Sequence, residues 1–185
     1  MRPRVFACRQ YRFRILLLVA VIVSAGVRAD DEPMGWSPEH IPPEEPWRED
    51  ALELPDYPAE KRLAAIPVHT VSYPYDVYVD TGSLGRGKDG VVRYTVVVRS
   101  NAGAENISYE GLHCGERTFR RFAYGYGGKW QQVDGGNWRH LEKGGMNHYR
   151  YVLYSDYLCD PTDPLMKTSE MIQRMRSSQG MILDD

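Results

Sequence analysis

Val91-Val92-Arg93-Tyr94-Thr95-Val96-Val97-Val98-Arg99-Ser100 sets Val92, Tyr94, Val96 and Val98 at every second position, with Arg93, Thr95, Val97 and Arg99 between them. A period of two marks a half-buried β-strand, and β-branched and aromatic side chains suit its pleated surface. Downstream, a turn at residues 101–105 leads into a second strand at 106–114, and so short a connection makes the two antiparallel. Residues 118–124 read as a third strand, with Phe119 and Ala123 opposite Phe122 and Tyr124. Upstream, Tyr75, Val77 and Val79 share a face opposite Asp76 and Asp80, which predicts an edge strand with a solvated side. The glycine-rich residues 82–90 read as a loop.

Beyond the third strand, Gly127-Gly128-Lys129-Trp130 is echoed by Gly135-Gly136-Asn137-Trp138, turn signals that predict short strands in a meander. Residues 148–158 alternate again, with Tyr149, Tyr151, Leu153 and Tyr157 on one side, and are expected to be a strand. A helix is expected after Asp163 as N-cap and Pro164 as its first residue, with Leu165, Thr168, Ile172 and Met175 as the buried stripe and Gly180 as the stop. The expected class is α+β: mainly antiparallel β-sheet, one C-terminal helix packed on it, and an extended acidic Pro-rich N-terminal arm.

The two ends of the chain differ in texture from this body. Arg2, Arg4, Arg9, Arg12 and Arg14 precede an apolar run from Ile15 to Val23, followed by Val27-Arg28-Ala29. Basic head, apolar middle and small residues at −3 and −1 predict a signal peptide over residues 1–29, cleaved after Ala29. The run is short of the roughly 20 apolar residues a membrane span needs, so no span is expected after cleavage. Residues 30–66 read as the arm and 67–185 as a single α+β domain. Seven of the 12 prolines fall in residues 30–58, where Trp36, Ile41 and Trp47 are the large apolar side chains before Leu52. Such a segment lacks the apolar surface to order alone, so it either docks on its own domain or serves as a tether to a partner. Residues 59–65 could add two helical turns at the domain entrance.

Charge narrows the partners. Without residues 1–29 the chain carries 17 basic and 25 acidic residues, and residues 30–60 hold 11 of the acids against one arginine. An acidic arm on a nearly neutral body argues against nucleic acid. The expected compartment is the periplasm, where Cys114 and Cys159 would form a disulfide. Closing that loop is worth roughly 4 kcal/mol in the chain-entropy account. No Cys-x-x-Cys occurs, and a cysteine nucleophile beside His113 would have its neighbour on the opposite strand face.

Tyr109-Glu110-Gly111-Leu112-His113-Cys114, then Tyr124-Gly125 and Trp130, then Tyr154-Ser155-Asp156-Tyr157-Leu158-Cys159 form a pattern that resembles the cryptic neisserial protein-like family of exported bacterial proteins. The resemblance runs from about Asp76 to the C-terminal helix. It implies a bacterial, periplasmic protein and brings with it no activity, cofactor or catalytic residue.

Candidate chemistry is sparse. The chain has no phosphate-binding Gly-x-x-x-x-Gly-Lys-Ser/Thr, no His-Glu-x-x-His and no Gly-x-Ser-x-Gly. Glu110, inside a strand with Ser108, Leu112 and Cys114 on its face, is the one weak catalytic candidate; Arg93, Arg99 or Arg121 would be its partner. His140 and His148 make a weak zinc pair, and Met166, Met171, Met175 and Met181 are either soft copper ligands or helix filling. Tyr124, Tyr126, Trp130, Trp138, Tyr149 and Tyr151, interleaved with Lys129, Arg139 and Arg150, form the candidate binding surface for a small ligand or an envelope protein. The leading expectation is therefore a non-enzymatic binding or accessory module of the cell envelope without cofactor or metal. The alternatives are a small hydrolase using Glu110 with a nearby His, and copper or zinc handling.

Overall fold

A computed structural model describes residues 46–68 and 73–180. The expected signal peptide with its cleavage point, Trp36, Ile41 and Met181 lie outside the described residues. A 3-10 turn, Glu60–Arg62, leads into strand β1 (Leu63–Ile66). Strands β2 (Tyr75–Arg86), β3 (Val91–Ser100), β4 (Glu105–His113) and β5 (Thr118–Tyr126) follow, then the short β6 (Lys129–Gln132) and β7 (Arg139–His140). They form one seven-stranded sheet in the order β1-β2-β3-β4-β5-β6, with β7 pairing β5 beside β6. Every pairing is antiparallel. The C-terminal part is helical: α1 (His148–Val152) runs on as π-helical turns, Leu153–Leu158, and α2 (Thr168–Gly180) closes the chain. The α+β, mainly antiparallel architecture with a C-terminal helix is thus as the sequence predicts.

Strand β3 holds the centre because both its faces are covered. Tyr94 pairs with Glu110, Val96 with Ser108 and with Val79, and Val98 with Val77, so all of these point to one face. There Val77, Val79, Val92, Tyr94, Val96 and Leu112 pack against Tyr149, Val152, Leu153 and Leu158 of α1 and its extension. Met171 and Met175 of α2 and Met166 before it complete this core, each at most 1 % exposed. Met fits such irregular gaps well.

The opposite face carries Arg93, Thr95, Val97, Tyr109 and Gly111, with Phe122 and Ala123 of β5. Residues 46–62 lie across it as a strap. Trp47 packs edge-on against His113 and Trp138, Tyr57 tilts against Trp130, and Leu52 joins the Tyr109–Phe122–Ala123 cluster. Gly125 makes room for the strap, and Gly111 for the Phe122 ring on the same face. A Cβ on Gly125 would lie 2.8 Å from the Tyr57 hydroxyl, and one on Gly111 would lie 2.7 Å from the Phe122 ring.

Several expectations are corrected. Residues 148–158 form no strand: the buried side chains Tyr149, Val152, Leu153, Tyr157 and Leu158 follow a helical spacing that the i, i+2 tyrosines mimic. Tyr and Val favour strands intrinsically, but burial against the sheet decides here. The last of these turns widens, so that the Cys159 amide bonds to the Tyr154 carbonyl five residues back. Two helical elements, rather than one, therefore cover the sheet.

Helix α2 begins at Thr168 instead of after Asp163. The Asp163 carboxylate is taken by the Leu165 amide in a preceding turn, and Glu170 caps the true start by accepting the Lys167 amide. Leu165 consequently sits 80 % exposed instead of in the stripe.

Strand β2 is not an edge. It lies between β1 and β3 and continues through a bulge to Arg86, across what reads as a loop. Asp76 is exposed as expected, whereas Asp80 is fully buried against Arg62, contrary to its expected solvated position. Residues 59–65 make a single 3-10 turn and then pair as β1, with Ile66 opposite Val77.

Candidate functional site

Glu110 is the hub of the helix-covered face. The Tyr94↔Glu110 register of β3 and β4 places it beneath α1, and its carboxylate is fully buried. Oε1 accepts from Ser108 Oγ (2.8 Å), Arg150 Nη2 (2.6 Å), Arg121 Nε (3.1 Å) and Tyr149 Oη (3.3 Å). Oε2 accepts from Arg150 Nε (2.7 Å) and Tyr94 Oη (3.3 Å). Burial alone would raise this carboxyl, but Arg150, Arg121 and the Ser108 hydroxyl outweigh it and hold the pKa below the ordinary value. Both tyrosines are pushed up, by burial first and by the Glu110 charge second. For Arg150, burial acts downward, but the Glu110 charge and hydrogen bonds prevail and its pKa is raised.

A carboxylate engaged by six donors has no lone pair turned to a substrate, and it is held ionised rather than poised near neutrality. Nor, among the described residues, is a histidine at hand for it. His113 lies on the strap face, where its Nδ1 accepts the Glu116 amide, and His140 sits exposed in β7. His148 Nδ1 accepts the Gly144 amide while its ring stacks on Tyr151. Glu110 in this setting is a structural counter-charge.

Of the three partners expected for Glu110, Arg121 is one. Arg93 instead binds Asp89 across the other face, and Arg99 pairs with Glu60 and Glu105. The dominant partner, Arg150, was hidden by reading its segment as a strand. A signal was nonetheless present: Glu110 and Arg150 are single opposite charges, each inside a stretch rich in apolar and aromatic residues.

Arg150 also organises what lies outside the core. Its Nη1 donates to the Asn147 side chain, which is thereby withdrawn from capping α1. The guanidinium stacks over the Phe119 and Tyr149 rings at 4.3 and 4.6 Å. Three adjoining hollows have Arg150 and Asn147 in their walls. The first, about 370 Å³, adds Tyr75, Val98, Met146 and Arg121; the second, about 320 Å³, adds Phe119, Leu141 and the exposed Arg139. Arg121 donates to the Tyr124 hydroxyl at the boundary of the third hollow. Apolar walls around guanidinium groups suit an acidic ligand with an apolar body.

The six aromatic residues singled out from the sequence do not form one surface. Tyr149 is in the Glu110 cluster, and Trp130 and Trp138 are half-buried beneath the strap. The Trp130 indole donates to the Pro55 carbonyl at 2.8 Å. Tyr151 stacks with His148 and leans on Tyr154. Tyr124, 39 % exposed, lines the third hollow, whereas Tyr126, 75 % exposed, lines none of the three. Among the described residues no group of three or more His, Cys, Asp or Glu side chains is placed to hold a metal ion. None of their helices is long and apolar enough to cross a membrane.

Cys114 and Cys159 are bonded, joining the end of β4 to the end of the π-helical turns. The model of the CNP1-like family matches residues 43–176, and so takes in the strap as well as the sheet and helices. Neither the curated proteins nor the solved structures contain a match.

Proposed function

This chain belongs to the CNP1-like family, a family of unknown function, and from that premise we propose that it is an exported binding or accessory module of the bacterial cell envelope, working in the periplasm after loss of residues 1–29. The basic and apolar leader supports export, and a bridged cysteine pair suits an oxidising compartment. The resemblance of residues 109–114 and 154–159 to cryptic neisserial proteins supports the bacterial part of the reading.

The observation that carries the binding role is the run of hollows converging on Arg150 and Asn147, with Arg121 and Arg139 in their walls. Arg150 and Arg121 share the single charge of Glu110, which leaves one positive charge of that trio and the exposed Arg139 to attract a ligand carrying negative charge. Tyr124 and Met146, both exposed, offer apolar contact at the rim. The ligand is an acidic small molecule or an acidic segment of an envelope protein.

Mass spectrometry of the protein from the periplasm should find it starting at Asp30, with both cysteines oxidised. Immobilised wild-type protein should retain a component of the envelope fraction that elutes with rising salt, and the Arg139→Glu variant should not. Protein remaining in the cytosol with its leader, or equal retention by both forms, would contradict this function.

A further inference from the structure

A hollow of about 250 Å³ opens where the end of β2, the β4–β5 turn and the chain leaving the π-helical turns come together. Tyr154, Pro161 and the bonded Cys114 and Cys159 wall it, and Arg86 lines it. Arg86 Nη1 donates to the Gly90 carbonyl at 3.1 Å, but its Nε and Nη2 are buried and meet no acceptor among the described residues. Donors shut away unpaired are costly, and native structures retain few of them.

These two nitrogens are adjacent on one side of the guanidinium. The same side of Arg150 holds Glu110 at 2.7 and 2.6 Å, and the same side of Arg62 holds Asp80 at 2.9 and 2.9 Å. This fold therefore uses that fork twice to grip two oxygens of one planar anion. At Arg86 the fork has no anion among the described residues. The two neighbouring acids are committed elsewhere: Asp160 accepts from Thr162 and Arg174, and Asp163 accepts from the Leu165 amide. Burial lowers the Arg86 pKa, with the Asp163 charge opposing, yet a guanidinium stays protonated. Arg117, exposed in the β4–β5 turn at a φ of 52°, adds a second cation to the lining.

We propose that this hollow binds a small oxyanion, a carboxylate or a phosphate group, whose entry turns the half-buried Arg86 side chain so that its Nε and Nη2 face the ligand. It shares no lining residue with the hollows around Arg150, so the two readings stand or fall separately. Its volume lies below the roughly 300–1,000 Å³ usual for ligand pockets, which restricts the occupant to a few atoms beyond the charged group.

The test is calorimetric titration of the oxidised protein with succinate and, separately, with inorganic phosphate at low ionic strength. One probe or both should bind with one-to-one stoichiometry and raise the melting temperature, while chloride does not; the probe that binds identifies the class. Arg86→Met should weaken binding by at least about tenfold and leave the ligand-free melting temperature unchanged or higher, because two unpaired buried donors have been removed. Arg117→Gln, at an exposed position, should weaken binding a few fold without altering melting. Absence of binding by both probes at about 10 mM, or equal binding by wild type and Arg86→Met, would overturn the proposal. So would a marked fall in melting temperature for ligand-free Arg86→Met.

Discussion

On the helix side of the sheet one carboxylate serves two arginines, two tyrosines and a serine, all enclosed except Arg121, which is 25 % exposed. On the strap side the charges are dealt out in separate pairs: Arg62 with Asp80, Arg93 with Asp89, Arg120 with Glu49. Each of those arginines keeps some contact with water, the side chains being 31 %, 11 % and 24 % exposed, whereas Arg150 is 2 % exposed. The same strands thus present two electrostatic designs. A single hub makes the helix layer interdependent, while independent pairs let the strap loosen piece by piece.

Replacing the hub should have the largest effect. Glu110→Gln leaves Arg150 buried without its counter-charge and should cost about 3–5 kcal/mol in urea unfolding. Asp80→Asn on the other face lets Arg62, 31 % exposed, turn to solvent but leaves a buried amide in place of the carboxylate, and should cost about 1–2 kcal/mol by the same measurement. Equal losses at the two sites would dissolve the contrast between the faces. Next in size, Cys114→Ala with Cys159→Ala should cost about 2–4 kcal/mol, since the bridge ties β4 to the helix layer.

Acid should act through the hub as well. The folded carboxyl of Glu110 lies below its ordinary value of 4.5, so the unfolded chain takes up that proton at higher pH than the folded one. The stability it contributes is complete above about pH 4.5 and is lost as pH falls through the lower folded value. Unfolding free energy should therefore decline more steeply below about pH 4.5 in wild type than in Glu110→Gln, which lacks the titrating group. The smallest effect is expected at the strap. Trp47, 48 % exposed, gains two edge-on aromatic contacts and a hydrogen bond to the Asp89 carbonyl. Trp47→Ala should cost about 1 kcal/mol and speed amide exchange in residues 48–57 while leaving β3 protected.

How much of this was legible varied with the kind of signal. Strand β3 could be read within its own ten residues, because alternation is local and both neighbours reinforce it. The β3–β4 hairpin and the cysteine pair followed from short spacing and from counting. Residues 148–158 were misread because Tyr151 falls on the more open side of a helix yet completes an alternating series with Tyr149 and Leu153. With that segment taken for a strand, Arg150 could not be brought to Glu110. The strap was opaque for a different reason: its order comes from Trp138, His113 and Trp130, which are distant in sequence. Asp80 looked solvated because its partner, Arg62, lay in what read as an arm.

The placement of the Cys114–Cys159 bond has a consequence for assembly. Its two ends lie 45 residues apart, one at the end of a strand and the other just past the helical layer, and their α-carbons must come to 5.6 Å. That approach is met once the segment before Cys159 has wound up and settled on the sheet. Once formed, the bond holds the docked segment against the end of β4, so that a chain whose helical layer lifts from the sheet stays tethered there and can settle back.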